Sequence, residues 1–220
     1  MRPPMRVTWC AAALVAVQAL TTGPVRAQDP PPKIPLIVLD VRGSVPGFPN
    51  EPQLAASRGL RVDQLPGRGL GVDLGLHMRV LTWKAMTIGL GGQVTLARAS
   101  ASGTSGSSDS ADVSVTETFA SITPQLSFNF GDGDGWSYIS GGLGPSLWQV
   151  IPAGAEPGPP DQERLRSVNY GGGGRWFIKR HLAFTFDVRF HQVDPGTPSF
   201  GFPGGPRATF LVMGAGISLK

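Results

Sequence analysis

The sequence has almost no cysteine. Cys10 is the only one in 220 residues, and it lies in an N-terminal leader. Without a second thiol there is no disulfide staple and no thiolate metal site. Charge is sparse as well. Asp, Glu, Lys and Arg together make 15% of the chain, against an ordinary share of about 25%. Beyond the leader no stretch stays apolar for about 18 residues, which argues against a helical membrane protein. Glycine and proline, by contrast, are abundant, at 31 and 21 residues. That is about twice their ordinary share and excludes an architecture of long helices. With 40% apolar residues the chain has enough to fold. A single all-β domain is what these limits leave.

Residues 1–27 read as a targeting segment rather than as fold. Arg2 and Arg6 form a positive start, Cys10 to Leu20 an apolar stretch too short to span as a helix, and Val25-Arg26-Ala27 a small-residue cleavage site. The sequence before Cys10 is not that of a lipid-modified cysteine. The alternative is an uncleaved N-terminal anchor. Cleavage after Ala27 removes Arg2, Arg6 and Arg26, which lowers Lys plus Arg from 19 to 16 against 15 acidic residues. The mature chain is then nearly neutral, and a nucleic-acid partner has no electrostatic support. Residues 28–35 form a Pro-rich leader (QDPPPK at its start), and 36–220 the folded domain.

That domain shows eight segments with a period of two. They run over about 36–45, 69–81, 85–97, 116–130, 136–150, 164–178, 181–193 and 207–220. In the second, Leu70, Val72, Leu74, Leu76, Met78 and Val80 alternate with Gly71, Asp73, Gly75, His77 and Arg79. In the seventh, Leu182, Phe184, Phe186, Val188 and Phe190 alternate with Ala183, Thr185, Asp187, Arg189 and His191. A helical period would scatter these apolar residues round the whole cylinder. The fifth segment is so rich in glycine that its facing is ambiguous. The connections alternate long and short, as in a chain that crosses a membrane back and forth, with tight turns on one side and loops on the other.

Alternation alone does not say which face is outside. An apolar interior would make a secreted, lipocalin-like soluble barrel that binds a hydrophobic ligand. The polar face argues for the inverse. It is made of glycine, small hydroxyls and charges of balanced sign, which suits the tight interior of an eight-stranded barrel. The segments are also long enough to cross the hydrocarbon at a tilt of about 45°. The fold class expected is therefore an all-β, eight-stranded antiparallel up-and-down transmembrane β-barrel. Trp83, Trp136, Tyr138, Trp176 and Phe177 lie near the short turns and are expected to form an aromatic girdle at one interface.

The segments ITPQLSFNFGDGDGWSYISGGLGPS (122–146) and YGGGGRWFIKRHLAFTFDVRFHQV (170–193) resemble paired strands of the bacterial outer-membrane β-barrel domain family, the OmpA/OmpX-like eight-stranded group. The resemblance covers essentially the whole mature chain. It implies a Gram-negative-type outer membrane, contact with outer-membrane lipid, and assembly by the barrel-insertion machinery. It also implies no C-terminal peptidoglycan-binding domain, because the chain stops at the eighth strand. One departure is that such proteins commonly end in an aromatic residue, whereas this chain ends Ile217-Ser218-Leu219-Lys220.

The inward charges are the most specific candidate feature: Asp40, Arg42, Asp73, Arg79, Arg175, Asp187 and Arg189. They form either a polar path through a narrow pore or a structural ion-pair plug. The plug is favoured, because side chains about fill an eight-stranded barrel. Asp187 and Arg189, about 7 Å apart on one strand, can pair with each other or with Arg175 and Asp40. A lipid-modifying enzyme is the remaining alternative. Asp187 and His191 would carry it, but they are about 13 Å apart and have no adjacent serine. The three histidines have no ligand spacing. The run Gly171 to Gly174 is not a phosphate loop, since no helix follows it. No cofactor, metal or catalytic residue is expected. The function read from the sequence is structural or interaction-type, with the long loops open to an extracellular partner that their sequences do not name.

Overall fold

The computed structural model describes residues 34–102, 114–198, 201 and 203–220. The targeting segment expected over 1–27, most of the leader 28–35, and residues 103–113 of the Ser/Gly-rich connection lie outside the described residues. Eight strands form: β1 (Ile37–Gly47), β2 (Leu70–Trp83), β3 (Met86–Ser102), β4 (Ser114–Gly131), β5 (Gly135–Pro152), β6 (Arg164–Lys179), β7 (Leu182–Val193) and β8 (Ala208–Leu219). Each pairs antiparallel with the next, and β1 pairs with β8 to close the barrel, with Leu39 opposite Leu219 and Gly47 opposite Leu211. Closure leaves no edge strand with unpaired backbone groups.

The barrel is inside out relative to a soluble one. Leu74, Leu76, Ile122, Ile139, Phe186 and Met213 are exposed on its outer surface, whereas Asp40, Arg42, Thr95, Asn169, Arg175 and Arg189 are buried within. A predominantly apolar outer band has no favourable partner in water but has one in lipid. The lipocalin-like arrangement is therefore excluded, because the lumen is polar and the apolar face points out. The ambiguity at β5 is resolved by parity: Trp136, Tyr138, Ser140, Ser146 and Trp148 point inward.

The three short turns follow from local chemistry. At β2–β3 Lys84 adopts a positive φ of 54°. At β4–β5 Gly131 has φ 133° and leaves no room for a Cβ against the Gly135 carbonyl. Beside it Asp132 Oδ1 accepts the backbone N–H of Asp134 at 3.0 Å, an Asx turn. Arg180 and His181 turn β6 into β7. The other ends carry the long connections, and two of these hold short helices that the period-two reading missed: α1 (Pro52–Ser57), with proline in its first turn, and α2 (Pro159–Gln162).

Toward the long-loop end the strands keep their register but invert their polarity. Phe119, Trp148, Val150, Leu165, Val193, Phe210 and Val212 point inward there and pack with Phe48, Leu54, Ala55 and Leu65 from the β1–β2 connection. Outward positions at the same level are Arg98, Thr116, Thr118 and Gln149. This end is built like a water-soluble barrel with its own apolar core, and Leu54 of α1, 1% exposed, caps it.

Candidate functional site

Six of the seven inward charges fall into one hydrogen-bonded network along the lumen. Asp40 is its best-connected member. The Arg175 guanidinium spans the lumen to reach it, with Nε 2.9 Å from Oδ1 and Nη2 bonded to Oδ2. Arg42 Nη1 donates to Asp40 Oδ2 at 3.1 Å, and His77 Nε2 lies 3.3 Å from the same oxygen. Ser218 Oγ donates to Oδ1. Glycine makes the room: a Cβ on Gly91 would come within 2.6 Å of His77 Nδ1.

Tyr138 links this cluster to the next. Its hydroxyl lies 3.4 Å from Arg42 Nη1 and donates to Asp187 Oδ2 at 2.7 Å. Asp187 in turn accepts from Arg189 Nε and Nη2, both at 3.1 Å. Arg189 also donates to Ser140 Oγ at 2.7 Å and to Asn169 Oδ1 at 3.3 Å. From Asn169 the chain runs through Gln125 and Gln93 to Asp73. Among the described residues Asp73 pairs with no arginine: Thr95, its register partner on β3, donates to it at 2.6 Å. Arg42, Arg175 and Arg189 are all fully buried. Buried charges of this kind are tolerated only when partnered, and here every guanidinium meets a carboxylate.

Arg79 stands apart. Its guanidinium lies 4.3 Å from the centroid of the Trp136 ring and donates to the Pro35 carbonyl. Phe177 stacks on Trp136 at 5.2 Å, with Lys220 Nζ 3.7 Å from the Phe177 centroid. These groups fill the short-turn mouth. The expected girdle is corrected accordingly: Trp83 and Trp176 are exposed outside at 62% and 55%, but Trp136 and Tyr138 are buried in the lumen at 3% each. Parity decides this, because Phe177 shares the inward face of Arg175, and Trp136 and Tyr138 that of Ser140.

Asp187 and His191 are not brought together as a catalytic pair. Asp187 is held by Arg189 and Tyr138. The His191 ring packs between Phe119 and Phe210, with centroids at 5.3 and 5.5 Å, and neither ring nitrogen has a hydrogen-bond partner among the described residues. In the apolar end, Trp148 Nε1 donates to Glu117 Oε1 at 2.8 Å. Above it, Arg58 Nε donates to Asp161 Oδ1 at 2.8 Å and ties the β1–β2 connection to the β5–β6 connection. Tyr138, Gln93, Gln125 and Asn169 link the charged members of the network, and Glu117 holds Trp148 outside it; the sequence reading selects none of the five. Inward parity on β3, β4 and β6 was available to find all but Tyr138, whose strand gave no phase. No group of His, Cys, Asp and Glu suited to holding a metal occurs among the described residues.

No family model matches the sequence, and no curated protein matches it. Solved structures do match the fold. Neisserial surface protein A (NspA) aligns over 84% of this chain and 95% of its own, with TM-score 0.50 and 10% identity. Ail, the attachment invasion locus protein of Yersinia pestis, solved in complex with the heparin analogue sucrose octasulfate, aligns over 84% and 97%, with TM-score 0.44 and 14% identity. The chain thus has the closed, eight-stranded fold of the small OmpA/OmpX-like barrels, similar to Neisserial surface protein A.

Proposed function

We propose that this chain is a small outer-membrane barrel with a structural and surface-interaction role in the cell envelope, and that it is plugged rather than a pore. Residues 1–27 direct its export, and 36–220 form the barrel. On this reading its partners are outer-membrane lipid, the insertion machinery during assembly, and an extracellular partner for the long loops. The observation that carries the reading is the Asp40-centred network. Arg42 and Arg175 converge on one carboxylate across a lumen that side chains of this size fill. Because the apolar cap above it and the Arg79–Trp136–Phe177 cluster below it add two further closures, the interior favours stability over passage. The loops, joined through Arg58 and Asp161, remain as the surface offered outward.

Two measurements test this. The protein extracted from outer membranes should migrate faster on SDS gels before boiling than after, as a folded barrel does. In planar bilayers it should give no stepwise conductance. A protein found in the soluble fraction without the mobility shift would refute the membrane reading, and regular conductance steps would refute the plug.

A further inference from the structure

On the outer surface of the barrel, a groove of about 330 Å³ lies across β3, β4 and β5. Val94, Leu96, Ala120, Ile122 and Leu147 line it, with Arg164 beside them. Register explains the shape. Leu96 pairs with Ala120, Ala120 with Leu147, and Leu147 with Arg164, so one row across four strands reads large, small, large, cationic. The methyl of Ala120 leaves a floor between two leucine walls.

The row sits where the apolar band gives way to the polar long-loop end. Arg98 occupies the next outward position beyond Leu96, and Arg166 pairs with Pro145, another groove residue. Arg98, Arg164 and Arg166 are exposed. Other arginines toward the long loops hold acids: Arg58 with Asp161, Arg61 with Asp63, Arg207 with Asp194. Among the described residues, Arg98, Arg164 and Arg166 have no carboxylate within ion-pair distance. A guanidinium at the margin of the hydrocarbon is most stable against an anionic oxygen, and phosphate matches its planar fork.

We propose that this groove binds one acidic, phosphate-bearing membrane lipid, with an acyl chain lying over Ala120 and the phosphate on Arg164, flanked by Arg98 and Arg166. The proposal rests on the reading that the apolar band faces lipid. An acyl chain alone would need only the leucine walls, so the arginines specify an anionic headgroup.

Native mass spectrometry of the detergent-extracted protein tests it, with dimyristoylphosphatidylglycerol and dimyristoylphosphatidylcholine as the two probes. Wild type should retain the acidic lipid about fivefold better, the effect of about one arginine near a membrane surface. Arg164→Gln should abolish that preference and leave retention of the zwitterionic lipid unchanged. Ala120→Phe, which fills the floor, should lower retention of both. Arg180→Gln, at the short-turn end, should match wild type. Equal retention of the two lipids by wild type, or an undiminished preference in Arg164→Gln, overturns the proposal. The heat-dependent mobility shift, measured on each variant, reports folding separately. If wild type lacks the shift, the membrane reading fails; if it shows the shift but binds neither lipid, only the groove assignment fails.

Discussion

Arg175 clamps Asp40 across the lumen, Nε to Oδ1 at 2.9 Å and Nη2 to Oδ2, joining β6 to β1 over 135 positions of sequence. The pair lies inside the barrel, and Asp40 is 0% exposed. Loss of either partner strands a charge where water cannot compensate it. Asp40→Ala should therefore destabilise the folded barrel by about 3–5 kcal/mol, since Arg175 and Arg42 would then face each other without an anion. The double variant Asp40→Ala with Arg175→Met should lose less than the sum of the single losses, because the two groups interact directly. Urea unfolding midpoints of protein folded into phospholipid vesicles measure both.

Tyr138 joins the two arginine clusters through its hydroxyl, 2.7 Å from Asp187 Oδ2. Tyr138→Phe keeps the ring beneath Arg175, whose guanidinium carbon lies 4.1 Å from the ring centroid, and removes only the hydroxyl. Asp187 would still hold Arg189, so the expected cost is mainly that of the short bond to Asp187, about 1.5–3 kcal/mol, with the long bond from Arg42 lost beside it. Tyr170→Phe, on the exposed outer face, should leave the midpoint unchanged. The contrast separates the lumen bond from a general effect of losing a phenol.

Arg58 and Asp161 hold two external connections together, each 7% exposed at the side chain. Asp161 Oδ1 also accepts the backbone N–H of Val150 at 3.0 Å. Asp161→Ala removes these bonds and a third from the Gly158 N–H to Oδ2, and leaves a nearly buried guanidinium without its carboxylate. Protease added to intact cells should then cut within residues 153–163 faster than in wild type. The mobility shift should persist, because no lumen contact changes.

The strands were legible because parity is strict in a barrel. Leu74 out and Asp73 in follow from a period of two, and so does Arg189 inside. On β5 both faces carry large apolar residues, with Trp136, Tyr138 and Trp148 inward and Ile139 and Leu143 outward, so parity shows no polar phase and only proximity to a turn points Trp136 and Tyr138 to the girdle. The inversion at the long-loop end was hidden for a different reason. Phe119 and Phe210 sit in the inward phase of their strands, but only the three-dimensional level along the barrel says that the inside is apolar there. Which acid meets which arginine was not legible either. Arg42 lies opposite Asp73 in register yet bonds Asp40, since side chains in a narrow lumen lean along it.

Phe210 lies at the centre of the apolar cap, with ring centroids 4.9 Å from Phe119, 5.4 Å from Phe48 and 5.5 Å from His191. Phe210→Ala opens a cavity there and should cost about 3–5 kcal/mol of stability. It distinguishes two ways of closing the barrel. If the polar network beneath the cap is the seal, the variant should unfold at lower urea but still give no conductance steps in planar bilayers. Asp40→Ala, which breaks the network and leaves the cap intact, should then be the variant that leaks. Steps from Phe210→Ala alone would instead assign the seal to the cap, and the arginine network would be left with stability as its only role.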